Sequence, residues 1–297
     1  MNKGIFLVIL ATLQWGSLGI FIKKIEGMSA DGIIISRLLI GSFYLFTILM
    51  LNKKYRQQLI KSVKNIKFYL IISVVMSAHF LLGTFGYIHT TIANASLLTN
   101  TMPIFVPILA VIFLKEEVNK KEILGIFIAF TGVIIIFLLK GISFESEYFL
   151  GNVFAIISAI LLAIYTIISG KYKQKYSPLI TMFWMCLLGA IILFVYHITF
   201  YDDALFIVTN NNLYNLLGLS LVGTFGHLAY FASLKYIKTI TASSIAMCSP
   251  IIAMIYANIF LLETYTFMNI LGIIITLLGI SVTVFYGQIK SAVHKRL

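Results

Sequence analysis

The chain has 297 residues, of which 60% are hydrophobic and only 11% charged, and its mean hydropathy is +1.01. Soluble domains carry about a quarter charged residues, so this composition excludes an ordinary water-soluble domain and indicates an integral membrane protein. The formal net charge of +12 does not point to nucleic acid, because the basic residues are spread among loops where membrane topology already requires them.

Long apolar runs separated by charged or polar breaks dominate the chain. A run of about 18 residues or more can cross a bilayer as a helix, and none of the runs shows the strict alternation of a barrel strand. The pattern predicts an all-α membrane fold. Its ten transmembrane spans lie at about residues 4–22, 31–51, 68–88, 92–114, 122–139, 149–169, 179–200, 213–234, 240–262 and 267–287.

The first two spans each hold one conspicuous residue. Trp15 is a candidate for the wall of a cavity, and Arg37 is the only cation well inside a span, about 9 Å from its outer end at the standard helical rise. An ionisable residue at such a place is a functional candidate by default. Arg37 could hold a substrate carboxylate or phosphate, or form an internal ion pair. The alternative is a long side chain that snorkels to the outer interface.

Three histidines, His79, His197 and His227, lie within or near the edges of spans. No Asp or Glu lies deep in a predicted span, although proton-driven carriers often use a buried carboxylate. If protons drive transport, a histidine has to replace it; the alternative is that each histidine is a hydrogen-bonded structural residue. The two cysteines, Cys186 and Cys248, show no disulfide or metal-site spacing, and we expect no metal and no cofactor.

Spans four and nine each contain a proline near the middle, Pro103 and Pro250. Proline removes the hydrogen bond to the carbonyl four residues earlier, and in hydrocarbon that carbonyl needs another partner or a water-filled cavity. We therefore expect two helix breaks that line a midplane cavity and take part in gating. A packing kink is the alternative.

Further candidates for the cavity are polar or aromatic. The polar ones precede the prolines on matching helical stripes, where they could hydrogen-bond a polar solute or simply allow close helix packing: Asn94, Thr101, Ser244 and Cys248. Most aromatic side chains in such a protein face lipid or the interfaces. Those selected as candidate wall residues, besides Trp15, are Tyr87, Tyr165, Trp184, Tyr230 and Tyr256.

The sequence contains an internal repeat that covers both halves of the chain. Four residues of the first half recur 147 residues later (250 − 103, 263 − 116, 272 − 125 and 279 − 132): Pro103, Glu116, Gly125 and Gly132 as Pro250, Glu263, Gly272 and Gly279. Five spans fall in each unit, and an odd number makes the second copy enter the membrane from the opposite side. The sequence thus predicts two inverted-topology five-helix repeats, residues 1–147 and 148–297.

The repeated glutamates and glycines suggest structural roles. Glu116 and Glu263 lie at the ends of spans four and nine, where they could pair with a nearby Lys or Arg or accept from the helix N-terminus that follows each. The four glycines would let spans five and ten approach their neighbours closely. A homodimer through this face is an open alternative, although the glycines lack the GxxxG spacing typical of helix dimers.

Loop charges indicate the orientation independently of the repeat. With the N-terminus inside, the loop Lys and Arg residues fall on the cytoplasmic side except Lys23, Lys24 and Lys140. This distribution satisfies the positive-inside rule. We expect a multi-pass protein of the cytoplasmic membrane with both termini in the cytoplasm and the lipid bilayer as its surroundings.

The repeated order of proline, glutamate and two spaced glycines resembles the EamA domain of the drug/metabolite transporter superfamily. Trp15-Gly16-Ser17 followed by Lys24 fits the same resemblance, as does Arg37. The resemblance implies a ten-helix carrier with an internal pseudo-two-fold axis that works by alternating access and often exports amino acids or other small metabolites. Lys115 departs from it, since the family commonly has glycine before the glutamate, and so does Tyr165 in a region where a tryptophan is typical.

We therefore expect a secondary transporter that moves small metabolites, amino acids or related polar solutes, outward across the cytoplasmic membrane. A proton or a counter-substrate is the expected coupling partner. A vitamin, nucleoside or drug carrier of the same fold is the alternative. An intramembrane enzyme is disfavoured because the sequence offers no convergent nucleophile, base and orienting group.

Overall fold

The computed structural model describes residues 2–90, 92–138, 146–172, 175–201, 209–261 and 266–294. Its thirteen α-helices in these ranges are α1 (Lys3–Lys23), α2 (Ala30–Leu51), α3 (Lys53–Ser62), α4 (Ile66–His89), α5 (Ile92–Thr99), α6 (Met102–Leu109), α7 (Lys120–Leu138), α8 (Phe149–Tyr172), α9 (Pro178–Phe200), α10 (Asn210–Ser233), α11 (Thr239–Ala246), α12 (Ser249–Leu261) and α13 (Phe267–His294). Two 3₁₀ turns, Val63–Asn65 and Ser146–Tyr148, and a π-helical turn, Ala110–Leu114, connect some of them.

Each predicted span corresponds to a helix or a pair of helices. Spans four and nine are the pairs α5–α6 and α11–α12, and α3 is an additional helix between spans two and three. Nine stretches of the described residues are long and apolar enough to cross a bilayer. The remaining predicted span is α7, a helix of 19 residues.

The helix contacts repeat under exchange of the two halves. Helix α7 packs against its counterpart α13, and α2 against its counterpart α9. The contact of α4 with α8 is matched by that of α10 with α1, and the contact of α5–α6 with α8 by that of α11–α12 with α1. This pattern confirms the predicted all-α membrane fold of ten spans in two inverted five-helix repeats.

The repeated glycines lie in a seam between α7 and α13. A Cβ added to Gly125 would lie 2.7 Å from the carbonyl oxygen of Gly279, and one added to Gly132 would lie 2.6 Å from that of Gly272. Both distances are too short for a side chain, so these positions need glycine for the helices to touch. The close approach expected for spans five and ten is therefore with each other, inside one chain.

Two groups of buried apolar side chains hold the bundle together. The larger lies among α1, α6, α7, α8, α10 and α11, and the second among α2, α4 and α9 beneath α3. Large apolar side chains also cover the outside, for example Phe43, Ile112 and Phe285, each more than half exposed. A bilayer would bury these side chains in its hydrocarbon.

Candidate functional site

Spans four and nine break at equivalent positions. Helix α5 ends at Thr99 and α6 begins at Met102, while α11 ends at Ala246 and α12 begins at Ser249; the two pairs are 147 residues apart (246 − 99 and 249 − 102). Pro103 and Pro250 are each the second residue of the helix after the break. Proline is tolerated there because the N–H groups of a first turn have no partner within the helix.

The polar candidates around the breaks bond to their own helices. The Thr101 hydroxyl donates to Leu98 O over 2.6 Å, and the fully buried Ser244 hydroxyl donates to Ile240 O over 2.9 Å. Cys248, at the second break, is only partly buried. The hydroxyl protons of Thr101 and Ser244 are thus occupied, and only their oxygens could still accept from a solute. The side chains of Tyr87 and Asn94 lie outside the described part of the structure.

Four side chains from three helices meet near the middle of the bundle. Trp15 on α1 directs its Nε1 to Nδ1 of His227 on α10 at 3.2 Å, and its ring centre lies 5.2 Å from that of Tyr230. The ring of Phe80, on α4, lies 5.7 Å from that of His227. We call Trp15, Phe80, His227 and Tyr230 the aromatic cluster. It places three of the candidates together and adds Phe80, which sequence reasoning had missed.

The cluster's histidine has two contacts that exclude each other. Nδ1 of His227 lies 3.2 Å from the Trp15 indole nitrogen and 2.8 Å from the carbonyl oxygen of Gly223. A ring nitrogen accepts from the indole only without a proton, and donates to the carbonyl only with one. A change of tautomer at His227 therefore changes how α1 is tied to α10.

Arg37 lies beside this cluster. Its guanidinium carbon is 4.9 Å from the centre of the Phe80 ring, a distance typical of a cation–π contact. Gly223 makes room for it, since a Cβ there would lie 2.6 Å from Nη2 of Arg37. Phe80 and Gly223 are both near the middle of their helices, α4 and α10, so the guanidinium lies at the level of the bundle's interior.

No hydrogen bond or ion pair of Arg37 is formed with any residue in the described ranges, and the side chain remains partly exposed. The acidic residue nearest to it on α2, Asp31, is engaged elsewhere: its carboxylate lies 2.5 Å from Nδ1 of His197. That pair joins the beginning of α2 to the end of α9. His197 is therefore a clamp at one end of the bundle, away from the aromatic cluster.

His79 joins α4 to α8. Its Nδ1 lies 2.9 Å from the Ser158 hydroxyl oxygen and 3.0 Å from the Ser158 carbonyl oxygen, and the same hydroxyl donates to His79 O over 3.0 Å. The His79 ring is 5.1 Å from that of Phe80. His79 thus borders the aromatic cluster through Phe80.

The two ends of the bundle differ in burial. We call the end formed by α3, residues 175–177 and residues 235–238 the lysine-rich end. Near it Tyr165 and Tyr230 are completely buried, and residues 239–247 are all buried. Toward the opposite end, residues 78–85 of α4 and Tyr256 of α12 all keep partial exposure. The interior is therefore packed more tightly at the lysine-rich end than toward the other.

Polar contacts between the two repeats hold the lysine-rich end together, and we call those of Glu116 with Thr239 the Glu116 latch. Glu116, after span four, accepts from the backbone N–H of Thr239 at 3.2 Å and from its hydroxyl at 2.9 Å. The neighbouring Lys238 donates to Glu117 O over 3.1 Å and approaches the buried carboxylate of Glu122 at 3.9 Å. Glu116 thus caps α11, in the other repeat, and not the helix that follows it. Its counterpart Glu263 lies outside the described residues.

The remaining aromatic candidates lie apart from the cluster. Trp184 donates through Nε1 to the Ser62 hydroxyl over 2.8 Å and stacks on Tyr69, which fastens α3 at the lysine-rich end. Tyr165 donates to the sulfur of Met182 over 3.8 Å. The described contacts of Tyr256 include the ring of Phe260, 6.1 Å away between ring centres.

A cavity of about 540 Å³ opens at the lysine-rich end, between α3 and the beginnings of α4 and α9. Four of its described lining residues are lysines, Lys54, Lys61, Lys175 and Lys235, and none of the described lining residues is acidic. Its surface is therefore suited to attract anions from solution.

Both halves of the chain match the same family model. The model of the EamA-like transporter family matches residues 2–138 and again residues 149–285. The chain belongs to the EamA-like transporter family. Membership makes it a multi-pass membrane transporter and points away from an enzyme. In the described residues, no group of three or more His, Cys, Asp or Glu side chains is placed to hold a metal ion.

Relatives of this EamA-like transporter extend over nearly the whole chain. An uncharacterized transporter of Archaeoglobus fulgidus is 29% identical over 290 residues, which are 96% of this chain and 99% of the relative. The uncharacterized transporter YoaV of Bacillus subtilis is 27% identical over 292 residues, 96% and 98% of the two chains. A protein of known crystal structure shares the fold with a TM-score of 0.82 at 12% identity, covering 96% of this chain and 97% of its own.

Lys115 has a backbone conformation that glycine adopts more readily than lysine. It follows the π-helical turn Ala110–Leu114 and has a φ of 53°, in the left-handed region. There the N–H of Glu116 donates to Ala110 O at 3.2 Å, which closes the helix end. Glycine adopts this conformation without steric cost, whereas a side chain disfavours it.

Proposed function

We propose that this transporter is a secondary carrier that exports amino acids or related small polar metabolites by alternating access, through a cavity beside the aromatic cluster and Arg37. The observation that carries the proposal is the unequal burial of the two ends of a bundle built from two repeats. Because the two repeats are inverted copies, exchanging their conformations would loosen the tightly packed end and tighten the other. That exchange is what alternating access requires.

The lysine-rich end indicates how the protein is oriented in the membrane, and the orientation gives the direction of the proposed transport. Lys and Arg accumulate on the cytoplasmic side of short loops, so we assign this end and both termini to the cytoplasm, and the protein to the cytoplasmic membrane. With this assignment the less tightly packed end faces the outside, as expected of a state that releases an exported solute. The family matches at residues 2–138 and 149–285 support repeat units of residues 1–147 and 148–297.

Counterflow in proteoliposomes tests the proposal. Purified protein is reconstituted, the vesicles are loaded with one unlabelled solute at a time, and uptake of the labelled solute is followed over a panel of amino acids, vitamins, nucleosides and drugs. We expect saturable, trans-stimulated uptake of some amino acids or related solutes. Flux that rises linearly with concentration and shows no trans-stimulation would indicate a channel and contradict the proposal.

Coupling to a proton or to a counter-substrate is part of the same proposal. In the described core, His227 belongs to the aromatic cluster and His79 borders it, so these two histidines are our candidates for a proton site. An imposed pH gradient should drive net uphill movement of substrate if protons are coupled, and a protonophore should abolish it. Exchange that is indifferent to both treatments would assign the driving force to a counter-substrate.

A further inference from the structure

We propose that Arg37 binds the carboxylate of the transported solute, so that the substrates are small carboxylates with an apolar or aromatic body, neutral amino acids included. This inference rests on the proposed carrier function, because it requires a solute to enter the interior. It narrows the substrate class, since amines and amides of the same shape would be poor substrates.

The guanidinium lacks a counter-charge in the described part of the chain. Removing a charge from water is costly unless it is paired, and a membrane-embedded bundle has little water to offer. Arg37 nevertheless has no ion pair or hydrogen bond with the described residues, and Asp31 on the same helix is held by His197. A carboxylate brought in by the solute would supply the missing charge.

The surroundings orient Arg37 without neutralising it. Phe80 covers one face of the guanidinium at 4.9 Å, and Gly223 leaves the space in which it lies. Among the described residues, the ionisable groups that interact electrostatically with it are Cys186, His79 and His227, and none of these is a carboxylate. The partial exposure of the side chain leaves N–H donors available in the fork geometry that suits a carboxylate.

Two features define the solute further. Arg37 is the only cation inside the described spans near the cluster, so the site matches a single negative charge better than a doubly charged phosphate. Trp15 and Phe80 supply large apolar faces beside it, which suit an aromatic or branched body. The lysine-lined cavity of about 540 Å³ at the other end would raise the local concentration of anions at the cytoplasmic side.

The test uses a series with one body and different charges: phenylalanine, 3-phenylpropionate, phenylalaninamide and phenethylamine. Counterflow in proteoliposomes and thermal stabilisation in detergent are measured for the wild type, Arg37→Gln, Arg37→Lys and the control Arg56→Gln, which removes an exposed cation of α3. We expect the two carboxylates to be bound and transported, with affinity lowered about tenfold or more in Arg37→Gln, partly retained in Arg37→Lys and unchanged in Arg56→Gln.

Stability without solute separates binding from a structural role. An unpaired cation in the interior destabilises the fold, so Arg37→Gln should raise the melting temperature of the protein measured without solute. A lowered melting temperature would mean that Arg37 stabilises the fold, and it would overturn the inference. Saturable transport of the amide, the amine or any uncharged solute that Arg37→Gln leaves unchanged would also overturn it, while the carrier function would stand. No saturable flux of any solute in this series or the wider panel would overturn the carrier function itself.

Discussion

At the scale of single residues, Gly223 is what allows Arg37 to lie in the interior. The sequence singled out Arg37 as an isolated cation in an apolar run, but it left open whether the side chain lies in the interior or snorkels to the outer interface. Its neighbours could not be predicted, because Phe80 and Gly223 come from distant helices and look like ordinary span residues. Hydrophobic periodicity identifies the buried face of a helix, but it does not identify the helix that packs against that face.

Gly223→Ala should therefore impair transport. The added Cβ would lie 2.6 Å from Nη2 of Arg37 and would displace the guanidinium, so we expect a several-fold rise in KM for carboxylate substrates. Gly19→Ala is the matched control, because nothing lies within 4 Å of a Cβ at that position. Equal kinetics for the two variants, measured by initial uptake rates, would show that the position of Arg37 does not matter.

Lys115→Gly should stabilise the protein. A lysine with a φ of 53° adopts a conformation that costs about 1 kcal/mol relative to glycine, so the variant should unfold at a higher temperature in detergent. The same replacement at Lys171, in the last turn of α8, should give no such gain, because lysine is at least as favourable as glycine with helical backbone angles. A lower melting temperature for Lys115→Gly would contradict the assignment of strain to this residue.

At the scale of helices, Pro103 and Pro250 predicted the positions at which spans four and nine break. The reason is partly local: proline has no N–H and clashes with the preceding turn, although Pro107 lies inside α6 without ending it. Helix α3 could not be found in the same way, because it is short and polar and carries no span-length apolar run. Its position depends on a tertiary contact, the Trp184–Ser62 hydrogen bond of 2.8 Å. No local sequence pattern predicts this contact.

The Glu116 latch is the element-scale feature that we expect to control the lysine-rich end. Glu116→Gln weakens the two hydrogen bonds to Thr239, because a neutral amide is a weaker acceptor than a carboxylate. In a Ser244→Cys reporter that lacks Cys186 and Cys248, labelling from the lysine-rich side should then become several-fold faster than in the reporter without the Glu116 change. Glu147→Gln, an exposed residue before α8, is the control. Unchanged labelling in Glu116→Gln would show that the latch does not hold this end shut.

At the scale of the whole molecule, duplication explains the architecture but not the site. The apolar runs predicted ten spans, and the 147-residue repeat with five spans in each unit predicted their inversion. The contacts of α7 with α13 and of α2 with α9 confirm that arrangement. The candidate site is asymmetric. Arg37 lies beside the aromatic cluster, whereas Trp184, its counterpart 147 residues later (184 − 37), fastens α3. Such differences arise from packing between helices, which a repeat pattern does not encode.

The most direct test of alternating access is the labelling of one cysteine from each side of the membrane. Cys248, in the second helix break, is only partly buried, and replacing the buried Cys186 by alanine leaves it as the sole thiol. An impermeant maleimide is applied to right-side-out and to inside-out vesicles, with and without a transported solute. We predict reaction from the outer side in the absence of solute, and a solute-dependent shift of reactivity toward the cytoplasmic side. Reactivity that stays on one side, or stays absent, whatever solute is present would contradict the account.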